Sequence, residues 1–307
     1  MCTAARTGTA AFLRHSLDIR PSSLDIGSHA TGTQSVNTSN EGTHTSLDLS
    51  IIVPTYREAD NLRLLLPRIA EAMAPTHLSY EVLVMDDSSD DNPAAAVREA
   101  ADVCPAELIV RTGRRDLSLA VLEGMRRARG DILLVMDADF SHPPEKIPAL
   151  LEALGRGQTD FAMGSRFVPG GGTEDWGGHR RLNSYVATLL CRPLVGRIRD
   201  PMSGFFTLRR ETLLNAERLD PIGYKIGLEL LCRCRCRHVV EVPITFHNRR
   251  LGASKLNLEQ QRRYLLHLTR LYRDCRPGWG LLVRPLLWAM RAALRILGIP
   301  SRLMGRK

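Results

Sequence analysis

Two aspartates one residue apart, Asp137 and Asp139 in the stretch LLVMDADFSH, are the side chains best placed to do chemistry. With Ala138 between them they can meet the same hard cation, and Mg2+ or Mn2+ is commonly held by one or two carboxylates together with substrate phosphates. A second acidic pair, Asp86 and Asp87 in VLVMDDSSDD, and the trio Pro54, Tyr56 and Glu58 in IIVPTYRE also follow apolar runs. Any one of these is common by chance, and Asp86 and Asp87 could equally cap a following helix. Their meaning depends on what places them.

Ile132 to Met136 is a short unbroken apolar run behind Gly130 and Asp131, the pattern of a central parallel strand covered on both faces. Asp137 and Asp139 stand where that strand stops, and in open α/β sheets ligands gather at the carboxyl ends of strands. Ile51 to Val53 reads as the first buried strand, ended by Pro54, with Glu58 to Asn61 opening a helix through about Met73. Tyr80 to Met85 gives a second strand and Leu108 to Val110 a third, leading into the basic turn RTGRRD. Leu117 to Ala128 then forms a helix ahead of the aspartate strand. Strands alternating with helices at this spacing predict an α/β fold, a parallel sheet wound with crossover helices. One sheet edge would then carry all three acidic or aromatic groups. No Walker-type loop and no GxGxxG follows the first strand, which removes the dinucleotide and ATP-cradle readings.

The chain has 307 residues, 44% of them hydrophobic, and a formal net charge of +9. That is enough to bury a sizeable core, and the charge favours an anionic partner without choosing among nucleic acid, membrane and phosphorylated substrate. Residues 1–46 are rich in Ser, Thr, Gly and Ala without a period and read as a disordered leader. Residues 47–275 make the α/β domain. The segment 276–307 is apolar but broken by Arg284, Arg291 and Arg295, a basic amphipathic tail that could lie in a membrane interface or pack on the domain. No run approaches the roughly 18 uncharged apolar residues of a membrane span, and no signal-peptide core is evident, so a cytoplasmic protein is expected. Seven cysteines, an odd number, suit a reducing compartment. Cys232, Cys234 and Cys236 alternate too closely for ordinary zinc spacing.

Taken together, IIVPTYRE, VLVMDDSSDD, LLVMDADFSHPPEKIP, GSRFVPGGG with Trp176, RRLNS, DPMSGFFTLRR, GYKIGLELL and VPITFHNRRLGASKL form an ordered series from about Leu49 to Tyr272. That series resembles the family 2 glycosyltransferases, and among them the polyprenol (dolichol) phosphate mannosyltransferases. The resemblance implies a single nucleotide-sugar-binding glycosyltransferase A-type domain with a central, mostly parallel sheet flanked by helices. It implies that Pro54, Tyr56, Glu58 and one of Asp86 or Asp87 hold the nucleoside. Asp137, Ala138 and Asp139 would meet the metal and diphosphate. Arg166, Arg249 and Lys255 would contact anionic groups of donor and acceptor, with Arg180 and Ser184 helping on the acceptor phosphate. The implied substrates are a nucleotide sugar, GDP-mannose foremost, and a polyprenyl monophosphate, met at a membrane surface; a membrane subunit as partner stays open. Two stretches depart from the family pattern. Asp90, Asn92 and Pro93 stand where the family turn has Pro, Gly and Thr, and Asp116, Leu117 and Ser118 replace a common GLG.

The chemistry can be argued without the family. A cation on Asp137 and Asp139 would neutralise charge developing on a departing nucleoside diphosphate. A lipid monophosphate, with a second pKa near 6, is mostly dianionic at neutral pH and needs a cationic pocket instead of a general base. A single in-line displacement would invert the anomeric centre. His142 and His247 read as packing or hydrogen-bonding residues before metal or phosphate ligands, and Gly170 to Gly172 read as a lid hinge or a plain flexible loop. The competing readings are another donor such as UDP-glucose, a non-catalytic nucleotide-sugar binder, and a processive synthase. The last normally has a QxxRW motif, and Gln260 to Tyr264 reads QQRRY. With 5% aromatic residues and no recognition module, nucleic acid is not expected as a partner.

Overall fold

The computed structural model describes residues 47–174, 177–247 and 258–296. The predicted leader lies outside them. Strand β1 (Leu49–Thr55) is buried along its whole length. It lies between two parallel partners, β2 (Tyr80–Asp86) and β4 (Ile132–Val135), with Ile51 opposite both Val82 and Leu134. A strand hydrogen-bonded on both sides and covered on both faces has no polar side to expose, which is why its sequence is a run and not an alternation. The sheet has seven strands in the order β3-β2-β1-β4-β7-β5-β8, with β3 at Ala106–Val110, β5 at Phe161–Ser165, β7 at Phe206–Arg209 and β8 at Val239–Pro243. Strand β7 is antiparallel to both neighbours and all other pairs are parallel. The expected mostly parallel sheet is therefore observed. A parallel pair β6 (Gly172–Thr173) and β9 (Thr245–Phe246) stands apart from it.

Alternate residues of the strands feed two cores. Ile51, Val53 and Leu134 meet Leu62, Leu65 and Leu66 of helix α1 (Ala59–Met73), while Ile52, Leu133 and Val135 meet Val121 and Met125 of a helix on the opposite face. Each such fully buried side chain contributes about 1.5–3 kcal/mol. Between α1 and that helix, α3 (Leu117–Arg127), lies the short α2 (Pro93–Glu99). Beyond β4 come α4 (Ile147–Gly155), α5 (Gly178–Val195), α6 (Arg210–Leu214) and α7 (Ile226–Arg233).

Pro54 does not end the first strand, as its ring suggested; β1 runs on to Thr55. The ladder with β4 stops at Ile52, so Pro54 is paired only towards β2, where a missing donor does no harm. Gly130, just before β4, explains a second detail of the sequence. A Cβ there would come within 2.4 Å of the Leu49 carbonyl carbon and 2.5 Å of the Ser50 nitrogen, both backbone atoms with nowhere to move. Gly130→Ala is expected to destabilise the fold by about 3 kcal/mol, read as a lower urea midpoint at unchanged slope.

A third core joins the C-terminal helices to the domain. Helix α8 (Leu258–Cys275) buries Leu265, Leu268, Leu271 and Tyr272 against Cys191 of α5 and Leu228 of α7. The Tyr264 and Tyr272 hydroxyls donate to the Ala187 and Leu190 carbonyls at 2.6 and 2.7 Å. Helix α9 (Pro277–Ile296) packs on α8 through fully buried Leu287, yet leaves Trp279, Leu281, Leu286 and Trp288 more than half exposed. No helix of the described residues is long and apolar enough to cross a membrane.

Candidate active site

Because β1, β2, β4 and β5 run parallel, their carboxyl ends share one edge of the sheet. Antiparallel β7 contributes its beginning to that edge, so the segment Asp200–Phe205 arrives beside Asp137. The carboxylate pair therefore sits in the middle of a row of loops. Asp137 keeps 31% of its side-chain exposure while Asp139 is 4% exposed and accepts a hydrogen bond from the Ser141 amide at 3.1 Å. Between them and the next turn, Phe140 holds φ at +62°, an uncommon conformation for a bulky residue and the kind of local strain that functional turns carry.

His142 fixes this turn from behind. Its Nδ1 accepts the Asp137 amide at 3.0 Å, and its ring stacks on Phe205 at 5.3 Å and meets the edge of Phe246 at 5.8 Å. Burial holds the imidazole below its ordinary range, against the pull of Asp137 and Asp139. Packing and hydrogen bonding are thus its observed work. Gly204 makes room on the other side: a Cβ there would lie 3.2 Å from His142 Cε1 and 3.6 Å from Asp137 Oδ2. Asp137 and Asp139 offer hard oxygen donors, the class that suits Mg2+ or Mn2+. Among the described residues no cluster of three or more His, Cys, Asp or Glu could hold a metal unaided, so oxygens from a bound phosphate would have to complete the shell.

Tyr56 and Glu58 lie on the loop after β1. The Arg115 guanidinium sits 4.0 Å from the Tyr56 ring centroid, and Glu58 accepts from Asn61 within the first turn of α1. Asp86 is 1% exposed and holds its own turn, accepting the Ser89 amide at 2.7 Å. Asp87 is paired with Arg111 and accepts the Asp116 amide at 3.1 Å; burial pushes its carboxyl up against the opposing pull of Arg111. Neither aspartate caps α2. Asn92 does that, at φ +60°, accepting the Ala95 amide at 3.3 Å.

Asp90 and Asp116, two of the residues read as departures from the family pattern, make contacts that hold the loops. Asp90 takes a bidentate bond from Arg57 at 2.8 and 2.7 Å, and Asp91 accepts the Ala59 amide at 2.8 Å, so the first two loops are stitched together. Asp116 caps α3 by accepting the Ser118 amide at 3.1 Å.

Arg166 follows β5 and points across the site to a residue that sequence reasoning did not single out. Its amide, Nε and Nη2 all donate to Asp200, at 3.0, 2.7 and 2.6 Å, and both side chains are nearly or wholly inaccessible. Phe246 and Phe167 lie against the guanidinium at 5.3 and 5.2 Å. Asp200 opens the DPMSGFF motif, and Glu241 of β8 pins its amide at 2.9 Å. Ser184 is half-buried on α5. The Arg180 side chain, Trp176, Arg249 and Lys255 lie outside the described residues. His247 pairs with Glu174 at 2.8 Å, and Gly172 is held in the β6 strand, where its amide donates to Ile244 at 3.0 Å.

Residues 50–216 match the model of the family described as Glycosyl transferase family 2. The chain belongs to that family. Dolichol-phosphate mannosyltransferase of Pyrococcus furiosus is 44% identical over 228 residues, 73% of this chain and 64% of the relative, so the chain spans just under two thirds of that protein's length. Dolichol-phosphate mannosyltransferase of Saccharomyces cerevisiae is 39% identical over 74% of this chain and 88% of the relative. Polyprenol monophosphomannose synthase of Mycolicibacterium smegmatis is 38% identical over 67% and 80%. Among solved structures, glucosyl-3-phosphoglycerate synthase from Mycobacterium tuberculosis, in complex with Mn2+, UDP-glucose and phosphoglyceric acid, superposes with a TM-score of 0.57. That match has 18% identity and covers 75% of this chain and 80% of the other, a likeness of fold. The chain is a glycosyltransferase of family 2 with the glycosyltransferase A-type fold, and it is similar to the polyprenol-phosphate mannosyltransferases.

Proposed function

We propose that this glycosyltransferase transfers a hexose, mannose from GDP-mannose, to a polyprenyl monophosphate and yields a β-linked lipid phosphate sugar. The observation that carries the reading is the likeness to several mannosyl-phospholipid synthases across most of residues 47–275, in a chain whose Asp137 and Asp139 stand at the central strand end. Asp137 and Asp139 would hold a Mg2+ or Mn2+ ion, whose positive charge would offset the charge of the leaving diphosphate. Pro54, Tyr56, Glu58 and the Asp86–Asp87 turn would seat the nucleoside, with Arg115 stacked behind the Tyr56 ring. Arg166, Arg180, Ser184, Arg249 and Lys255 would meet the phosphates of donor and acceptor.

No general base is required, since the acceptor is already ionised. The site agrees with this. Both oxygens of Asp200 are engaged by Arg166, which leaves that carboxylate poorly suited to receive a proton. Inversion follows from one displacement with no covalent sugar on the protein. Donor choice is tested with a panel: GDP-mannose is expected to give lipid product, and activity with UDP-glucose alone would move the assignment to a glucosyl transferase while leaving the site intact.

A polyprenyl phosphate acceptor would be met at a membrane surface, and we propose that the enzyme works there as a peripheral protein on the cytoplasmic face. Helix α9 presents Trp279, Leu281, Leu286 and Trp288 outward and carries Arg284, Arg291 and Arg295 with no acidic residue, the composition of an interfacial helix. Replacing Leu281 and Trp288 together with serine is expected to lower co-sedimentation with anionic liposomes about tenfold or more. Undiminished binding by that variant would remove α9 from the membrane.

A further inference from the structure

Lys225 lies in the GYKIGLELL motif but has no role in the reading so far. It precedes α7 directly, after Gly223 turns the chain at φ +84°. Its ammonium donates to the Met202 carbonyl at 3.0 Å and lies 4.4 Å from the Tyr224 ring centroid. Met202 belongs to the same short loop as Gly204, whose Cα side faces Asp137. The lysine therefore stands one loop away from the carboxylate pair, and it is half-buried where Asp200 is wholly buried.

The charge balance of this corner makes the residue matter. Arg166 and Asp200 cancel each other in a bidentate pair. Among the described residues no carboxylate comes within ion-pair distance of Lys225, although Asp200 and Asp137 act on it through space. An ammonium has three donors and the Met202 carbonyl takes one, leaving two for a ligand. An ammonium with two donors to spare, held one loop from the carboxylate pair, is suited to take a phosphoryl oxygen.

We propose that the Lys225 ammonium binds a phosphoryl oxygen of the substrate, on the lipid monophosphate or on the donor diphosphate, as a further substrate-binding residue. The proposal rests on the glycosyl-transfer reading above. Burial, and then the Arg166 guanidinium, push this amine down to about 8, against Asp200, Asp137 and Cys191, which pull it the other way. The charge that attracts phosphate is therefore present below pH 8 and is lost above it. The phosphate's own second ionisation, near pH 6, is largely complete by about pH 7.5 and does not confuse the loss above pH 8.

The test measures binding of a short-chain prenyl monophosphate without metal, and separately of GDP with Mn2+, to wild type, Lys225→Met and Lys225→Arg between pH 6.5 and about 9.5. Wild-type affinity for the responding probe is expected to fall about tenfold per pH unit above 8. Lys225→Met is expected to bind at least about tenfold more weakly at pH 7 with a flat profile, and Lys225→Arg to stay tight to the top of the range. A response confined to prenyl phosphate assigns the contact to the acceptor, and one confined to GDP assigns it to the donor diphosphate. Lys225→Met matching wild type with both probes, while wild type transfers mannose, overturns the lysine's role alone. Lysine-dependent phosphate binding without sugar transfer from any donor overturns the reaction and keeps the contact. Thermal melts of each variant separate lost binding from lost folding, and Lys225→Arg carries the pH result if the methionine variant does not fold.

Discussion

Asp139→Ala is expected to lower kcat for lipid-linked sugar formation at least about a thousandfold, the loss of roughly 4 kcal/mol of charge stabilisation on the departing diphosphate. The effect falls on kcat more than on the donor KM, because charge builds up on the leaving group chiefly as the bond breaks. Asp139 is buried and accepts from the Ser141 amide, so alanine also loosens the turn that Phe140 strains. Asp139→Asn keeps that hydrogen bond and the volume while removing the negative charge. It should therefore fold like wild type and still lose most of the activity. Equal activity of Asp139→Asn and wild type under saturating Mn2+ would show that the carboxylate does not hold the ion.

The second large effect is on stability. Asp200→Ala removes the carboxylate that accepts from both Nε and Nη2 of a guanidinium that is 9% exposed, and breaking a buried ion pair on one side costs about 3–5 kcal/mol. Most of that is the desolvation of a buried charge that has lost its bidentate acceptor. The double variant Asp200→Leu with Arg166→Met removes both charges, and is expected to recover much of the lost stability while remaining without activity. Urea unfolding of the two single variants and the double measures this directly. If Asp200→Ala unfolds at the wild-type midpoint, the pair is not what holds the start of β7 against the end of β5.

How far the sequence could be read followed from how local each signal was. The β4 strand and its aspartates were legible because a doubly covered strand must be apolar throughout and can turn polar only where it leaves the sheet. The loops after β1 and β2 were placed at the right edge for the same reason. Pro54 misled because its effect depends on which neighbour it faces, and the end of the β4 ladder at Ile52 is a tertiary fact. Asp90 and Asp116 looked like departures from a binding pattern; one staples two loops through Arg57 and the other caps α3, partners that only the fold brings together. Asp200 carried no signal of its own. An aspartate before a proline reads as a turn, and its partner Arg166 lies 34 residues earlier. Lys225 was hidden in the same way, since the Met202 carbonyl that it meets lies 23 residues earlier.

The most direct test of the account is transfer of labelled mannose from GDP-mannose to a polyprenyl phosphate in detergent, with Mg2+ or Mn2+ and with the metal removed by EDTA. The account predicts a mild-acid-labile, β-linked mannosyl phospholipid that forms only when the ion is present and is absent with Asp139→Asn. Silence of the folded wild-type enzyme with GDP-mannose and every other nucleotide sugar, or undiminished product in EDTA, would contradict it.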